Sequence, residues 1–195
     1  MKAIKIRNED TVDERAKNFL TEAEISSFLK AASKSRHGVR NFAMMLLAYR
    51  HALRVSELAN VRLADVDLDA SRMFVRRSKG SLSTSQPMEG DEIRALRGWL
   101  PRRTIAPRCN SPLLFLSERG PMTRQAVNHL AKVIGKRAGL AVHVHPHMLR
   151  HSCGYALANK GCNTRLIQDY LGHRNIRHTQ LYTRTAAVRF EGLWR

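Results

Sequence analysis

The sequence is poor in the features that mark several common classes of protein. Aromatic residues make up 6% of its 195 positions, cysteines number three, and 16 acidic side chains face 34 lysines and arginines. Cys109, Cys153 and Cys162 are odd in number and lack both C-x-x-C spacing and the density of a disulfide framework, so reduced thiols are expected, with Cys153 in the core. No apolar run approaches the roughly 18 residues that cross a bilayer, and the opening MKAIKIRNED contains nothing like a signal peptide, which points to a soluble cytoplasmic protein with no membrane partner. There is no G-x-x-x-x-G-K-[ST], so a nucleotide-driven motor would have no phosphate cradle.

What the chain has in excess is positive charge, +18 formally, together with 43% hydrophobic residues. The apolar content suffices for one ordinary domain, which excludes a disordered polyelectrolyte. Self-repulsion on this scale opposes compaction, and nucleic acid is the partner that most often offsets it. An anionic membrane would be met by one basic amphipathic helix, whereas these cations spread from Arg36 to Arg195.

Residues 1–17 mix both charge signs with few apolar positions and are expected to be a loosely ordered tail, with a single domain following over 18–195. Thr21 and Glu24 form a capping box ahead of Ile25, Phe28, Leu29 and Ala32 at helical spacing. A second, largely buried helix is predicted from Val39 to Arg50 and a short third one after Ser56. Between Val61 and Met88 the periodicity shortens and turn residues intervene, which predicts a small antiparallel sheet. Helices follow over 91–100, 123–138, from Pro146 to Gly161 and over 164–171, and the stretch from His178 to Trp194 reads as helical in pieces.

Two metal motifs fail on inspection. Asp65, Asp67 and Asp69 have the opening spacing of a calcium loop, but Ala70 stands where glycine is needed and Arg76 where the bidentate glutamate would be. His143, His145, His147 and His151 suggest zinc, yet no H-E-x-x-H is present and Arg150 lies between His147 and His151, where it would repel a cation. The arrangement suits an anion better: His147 and Arg150 are three apart near the start of a helix opened by Pro146, and so share one face at its positive end.

Five ordered segments then resemble one family, the tyrosine recombinases or phage integrase family. They are Ala52-Leu53-Arg54-Val55-Ser56-Glu57-Leu58, with Ala52 in place of the usual glycine; Ser78-Lys79-Gly80; His147-Met148-Leu149-Arg150-His151; Leu171-Gly172-His173; and Thr179-Gln180-Leu181-Tyr182-Thr183. Within the family, HPHMLRHSCGYALANKG and TRLIQDYLGHRNIRHT are most similar to the short invertases that switch fimbrial promoters. The resemblance implies an α+β, mainly α catalytic domain, a helical bundle with a small antiparallel sheet, and no separate N-terminal DNA-clamping domain.

It implies further that Tyr182 is the nucleophile of a 3'-phosphotyrosine intermediate, that Arg54 and Arg150 hold the phosphate, that Lys79 protonates the leaving oxygen, and that His147 and His173 bond the phosphate and manage the tyrosine proton. Glu57 would orient an arginine, and Arg76, Arg77, Arg174 and Arg177 are expected to contact DNA. No metal and no cofactor is implied. The partners would be double-stranded DNA at inverted-repeat sites, three further copies of the chain on synapsed DNA, and accessory DNA-bending proteins, at the bacterial nucleoid. A type IB topoisomerase uses a similar residue set, and a non-catalytic regulator could share the fold. Tyr49, Tyr155 and Tyr170 are chemically equal rivals to Tyr182, which the family spacing from His173 singles out. Phe190, Leu193 and Trp194 would form an apolar stripe that in the family docks on a neighbouring protomer.

Overall fold

The computed structural model describes residues 17–77, 81–186, 189 and 191. Lys79, the terminal stripe Phe190, Leu193 and Trp194, and residues 1–16 of the tail expected over 1–17 lie outside them. The chain opens with α1 (Glu22–Ser33), and its first turn is held by the expected capping box: Glu24 N–H donates to the Thr21 hydroxyl at 3.3 Å, and Thr21 N–H donates to the Glu24 carboxylate at 2.9 Å. Helix α2 (Gly38–Arg50) buries Ala43 to Ala48 without interruption and packs against four other helices, as its all-round apolar character requires. Helix α3 (Val55–Ala59) follows a sharp turn.

Strands β1 (Val66–Asp67), β2 (Arg72–Val75) and β3 (Thr84–Pro87) make the antiparallel sheet in sequence order, with Met73 and Val75 inward and Arg72 and Phe74 outward. Helix α4 (Gly90–Thr104) runs past the expected end at Leu100, through Pro101. The turn beyond the proline is kept by tertiary bonds: the buried Arg103 guanidinium donates to the carbonyls of Cys109, Ser111 and Leu113. A two-residue hairpin, β4 (Leu116–Ser117) and β5 (Gly120–Pro121), was not legible in the sequence.

Helices α5 (Arg124–Arg137), α6 (Pro146–Asn159), α7 (Thr164–Leu171) and α8 (Arg177–Arg184) complete the order. Helix α6 is the hub of this half: it packs on α1, α2 and α5 on one side and α7 and α8 on the other. Ser152 on α6 accepts from Leu20 N–H at 2.8 Å, and Phe19 lies against Tyr155 with ring centroids 4.1 Å apart, so the first core residues close directly over it. Two apolar clusters result. The larger spans α1 to α6, and the smaller gathers Ala52, Cys153, Ala158, Ile167, Leu171, Tyr182 and Ala186.

Candidate active site

The site is assembled where α2 ends, β2 ends, α6 begins and the α7–α8 turn passes. After α2 the backbone turns through Ala52 at φ +49°, a left-handed conformation that glycine adopts more readily, and this aims the Ala52 carbonyl inward. Two buried guanidinium groups use that one carbonyl: Arg150 Nη1 donates at 2.6 Å and Arg77 Nη1 at 3.0 Å. Arg150 Nη2 donates to Leu171 O at 2.7 Å, and Arg54 Nη2 reaches the next carbonyl, Gly172 O, at 3.4 Å. Gly172 ends α7 at φ +69°, which exposes those carbonyls to the arginines, and a Cβ there would press on the Arg77 side chain.

Glu57 lies among these cations. Its carboxylate accepts from Arg54 Nη1 at 2.6 Å, from Arg54 N–H at 2.8 Å and from Arg77 Nη1 at 2.8 Å. Burial would raise its pKa, but Arg77 and Arg54 together hold it below the usual carboxylate range. Three guanidinium groups thus surround one carboxylate, and the surplus is positive. Arg150 registers the strain of that surplus: burial, then Arg54 and Arg77, pull its pKa down to about 9, which still leaves it charged at neutral pH. A buried excess of cations beneath a part-exposed Arg54, whose side chain is 26% exposed, favours an anion at this spot over a cation.

Arg77 departs from the sequence expectation. It was expected on a DNA-contacting surface, but its side chain is 0% exposed, and it donates to Glu57 and to the carbonyls of His51, Ala52 and Tyr170. Its neighbour Arg76 points outward, bonding Asp65 at 2.7 Å and lying 5.1 Å over the Phe74 ring. The alternation of the strand explains the split, because adjacent residues point to opposite faces and Met73 and Val75 already fix which is inward. Arg174 on the α7–α8 turn and Arg177 at the start of α8 are both exposed.

The tyrosine forms the other half. Tyr182 is 1% exposed, despite polar neighbours in sequence, because α8 turns Thr179 and Tyr182 together into the smaller cluster. Its ring meets the edge of Tyr155 at 5.0 Å and stacks on His173 at 6.1 Å with 24° between planes. His173 Nδ1 is paired with the Thr179 hydroxyl at 2.9 Å. The phenol oxygen lies 2.7 Å from Nδ1 of His151. Burial raises the Tyr182 pKa well above its usual value, and burial lowers those of His151 and His173 to about 4 and about 3, with Arg150 adding to both effects on the histidines. His147 is exposed on the α6 face above His151, and its pKa is likewise lowered by burial first.

Of the expected residues, Arg54, Glu57 and Arg150 form one bonded network, His173 and Tyr182 pack together beside it, and Arg76 lies apart on the sheet. His151 enters from a position the sequence reading treats only as a rejected zinc ligand and as the closing residue of a motif; its i, i+4 spacing from His147 was the available signal. Gly154 was also missed, although a glycine inside a helical pattern often marks a close approach: here a Cβ would meet three Tyr182 ring carbons at 2.7 to 2.9 Å. Among the described residues no group of three or more His, Cys, Asp or Glu could hold a metal, and no helix is long and apolar enough to cross a membrane.

Residues 18–189 match the model of the phage integrase family. The chain belongs to that family. Over 183 residues it is 49% identical to the type 1 fimbriae regulatory protein FimB of Escherichia coli K12, covering 93% of this chain and 92% of FimB. The corresponding protein FimE is 43% identical over 182 residues, with 91% of each chain covered. Tyrosine recombinase XerC of Bacillus subtilis 168 is 32% identical over 177 residues, which are 88% of this chain and 58% of XerC. The crystal structure of XerA recombinase superposes with a TM-score of 0.78 at 30% identity, over 88% of this chain and 62% of that one. XerH bound to its palindromic difH substrate gives 0.79 at 22% identity, over 93% of this chain and 54% of that one, a likeness of fold alone. This phage integrase family member is therefore built as a site-specific tyrosine recombinase, with the mainly helical catalytic fold and small antiparallel sheets of such enzymes.

Proposed function

We propose that this chain cuts and rejoins double-stranded DNA through a covalent bond between Tyr182 and the 3' phosphate, and that it inverts a DNA segment between inverted repeats. The observation that carries the chemistry is the buried surplus of arginine charge beside the Tyr182 phenol. Breaking a phosphodiester needs a nucleophile, compensation of charge growing on the nonbridging oxygens, and a proton for the departing oxygen. Arg54 and Arg150 supply paired donors for the oxygens, a role lysine cannot reproduce. Lys79 is assigned to the leaving-group proton, and His147 and His173 to bonds with the phosphate. A phosphotyrosine conserves the energy of the broken linkage, so rejoining needs no nucleotide. The inversion reading rests on the likeness to FimB and FimE over nine-tenths of their length.

Tyr182 is packed away in the chain by itself, so phosphate meets its oxygen only after the surrounding packing opens. Four protomers on two synapsed sites fit this requirement: Phe190, Leu193 and Trp194 are assigned to docking on a neighbour, which would couple opening to assembly. Arg174, Arg177 and Arg76 are assigned to DNA phosphates, and accessory DNA-bending proteins to shaping the synapse. Trapping on a nicked suicide duplex tests the reading. Wild type should become covalently linked, Tyr182→Phe should bind without linking, and Arg54→Lys or Arg150→Lys should slow linking by about 10²- to 10³-fold, the effect of losing one transition-state donor. Sequence-specific retention without linkage would instead make the protein a regulator on this fold.

A further inference from the structure

His147 and His151 are four residues apart on α6, so they stand one above the other on a single helix face. The upper ring is exposed; the lower is half-buried, with its Nδ1 at 2.7 Å from the Tyr182 oxygen. Among the described residues His151 is the hydrogen-bond partner of that phenol. His173 is placed differently, stacked over the face of the tyrosine ring with its own Nδ1 taken by Thr179.

We propose that His151 is the base that receives the Tyr182 proton as the tyrosine attacks the phosphate, the role the sequence assigned to His147 and His173. The inference rests on the recombinase reading and adds to it the identity of the proton acceptor. A phenol and an imidazole in contact must share one proton between them, and both are uncharged here: burial keeps the phenol protonated and His151 unprotonated. The phenol then donates and Nδ1 accepts, which leaves the remaining lone pairs of the oxygen available for phosphorus. The cationic groups that hold His151 unprotonated are Arg150 and, when charged, His147 and His145. A phosphate bound to Arg150 offsets that charge, so the basicity of His151 rises when substrate arrives.

In cleavage, the Oη–H bond breaks and its proton passes to Nδ1 while the oxygen forms the bond to phosphorus. The bond from phosphorus to the 5' oxygen breaks with its electron pair going to that oxygen, which takes a proton from the group assigned to Lys79. Rejoining runs the same path backward, the His151 imidazolium returning its proton to the tyrosine oxygen as the 5'-hydroxyl attacks.

Single-turnover linkage to a suicide duplex separates this from a positioning role. His151→Asn keeps an acceptor oxygen near Nδ1 but cannot take up a proton, and His151→Ala removes both functions. Both should slow linkage by about 10²- to 10⁴-fold, the usual contribution of a positioned base, with DNA affinity unchanged, and added imidazole should restore part of the His151→Ala rate. On a duplex with a 5'-bridging sulfur at the scissile position, whose leaving group needs no proton, Lys79→Ala should recover while His151→Asn stays slow. Linkage by His151→Asn at the wild-type rate, or its recovery on the sulfur duplex, would overturn the assignment. Failure of the wild type to link to either duplex would sink the recombinase reading itself, a different result from either of these.

Discussion

Gly154 offers a direct probe of how tightly the nucleophile is held. An alanine Cβ at this position would stand 2.7 Å from Cε2 and 2.9 Å from both Cδ2 and Cζ of Tyr182, where carbon atoms ordinarily keep about 3.5 to 4.0 Å. The ring must therefore retreat by most of an ångström, yet it is 1% exposed, backed by Tyr155 and tied through its hydroxyl to His151. Overpacking of this kind costs roughly 1–3 kcal/mol, whereas replacing a mid-helix glycine by alanine contributes about 1 kcal/mol of stability. Gly154→Ala alone should leave the protein unchanged or destabilised by up to about 2 kcal/mol. With Tyr182→Ala already made, the clash is gone and the same change should stabilise by about 1 kcal/mol. Urea unfolding of the four proteins closes a double-mutant cycle, and the coupling energy should be about 1–3 kcal/mol. Additivity within about 0.5 kcal/mol would mean that Tyr182 does not occupy this pocket in solution.

Arg77→Met should cost about 1.5–3 kcal/mol in urea unfolding, because it removes one of the two guanidinium groups that bond the buried Glu57 carboxylate and leaves Arg54 as the other. The salt dependence of DNA binding should stay as it was; Arg174→Ala and Arg177→Ala should show the converse, with stability kept and the slope of log K against log salt shallower by about one each, and an Arg77 variant behaving like them would return that residue to the DNA surface. Stability should fall as pH drops from about 6.5 toward 4: His151 and His173 titrate near 6.5 when unfolded but at about 4 and about 3 in the fold, so within that window the unfolded chain binds protons the fold refuses. A urea midpoint at pH 5 equal to that at pH 7.5 would contradict the buried neutral histidines. Covalent linkage should survive EDTA, since guanidinium groups fill the ion's place at the phosphate; loss reversed by zinc would revive the histidine cluster as a metal site.

The helices were legible because burial here follows periodicity: the continuous apolar run of α2 and the capping box of α1 leave few alternatives. The extension of α4 past Pro101 was not, since it depends on Arg103 reaching carbonyls six to ten residues later, a tertiary bond that no local pattern encodes. The site shows the same division. Motif spacing named Arg54, Arg150, His173 and Tyr182, but it could not tell an arginine that faces solvent from one that braces the floor. Arg76 and Arg77 are chemically identical neighbours, and only the strand register, set by Met73 and Val75, sends one outward and the other beneath the site. Likewise the substitution of alanine for glycine at position 52 looked like a departure from pattern; the structure shows the left-handed turn kept, with the carbonyl still shared by two arginines.

The claim on which everything else depends is that Tyr182 carries the DNA. Digesting the protein linked to a suicide duplex and locating the nucleotide-bearing peptide by mass spectrometry tests it most directly. The account predicts a single phosphotyrosine at Tyr182 and no linked product from Tyr182→Phe. A nucleotide on Tyr49, Tyr155 or Tyr170, or linkage that persists in Tyr182→Phe, would contradict it.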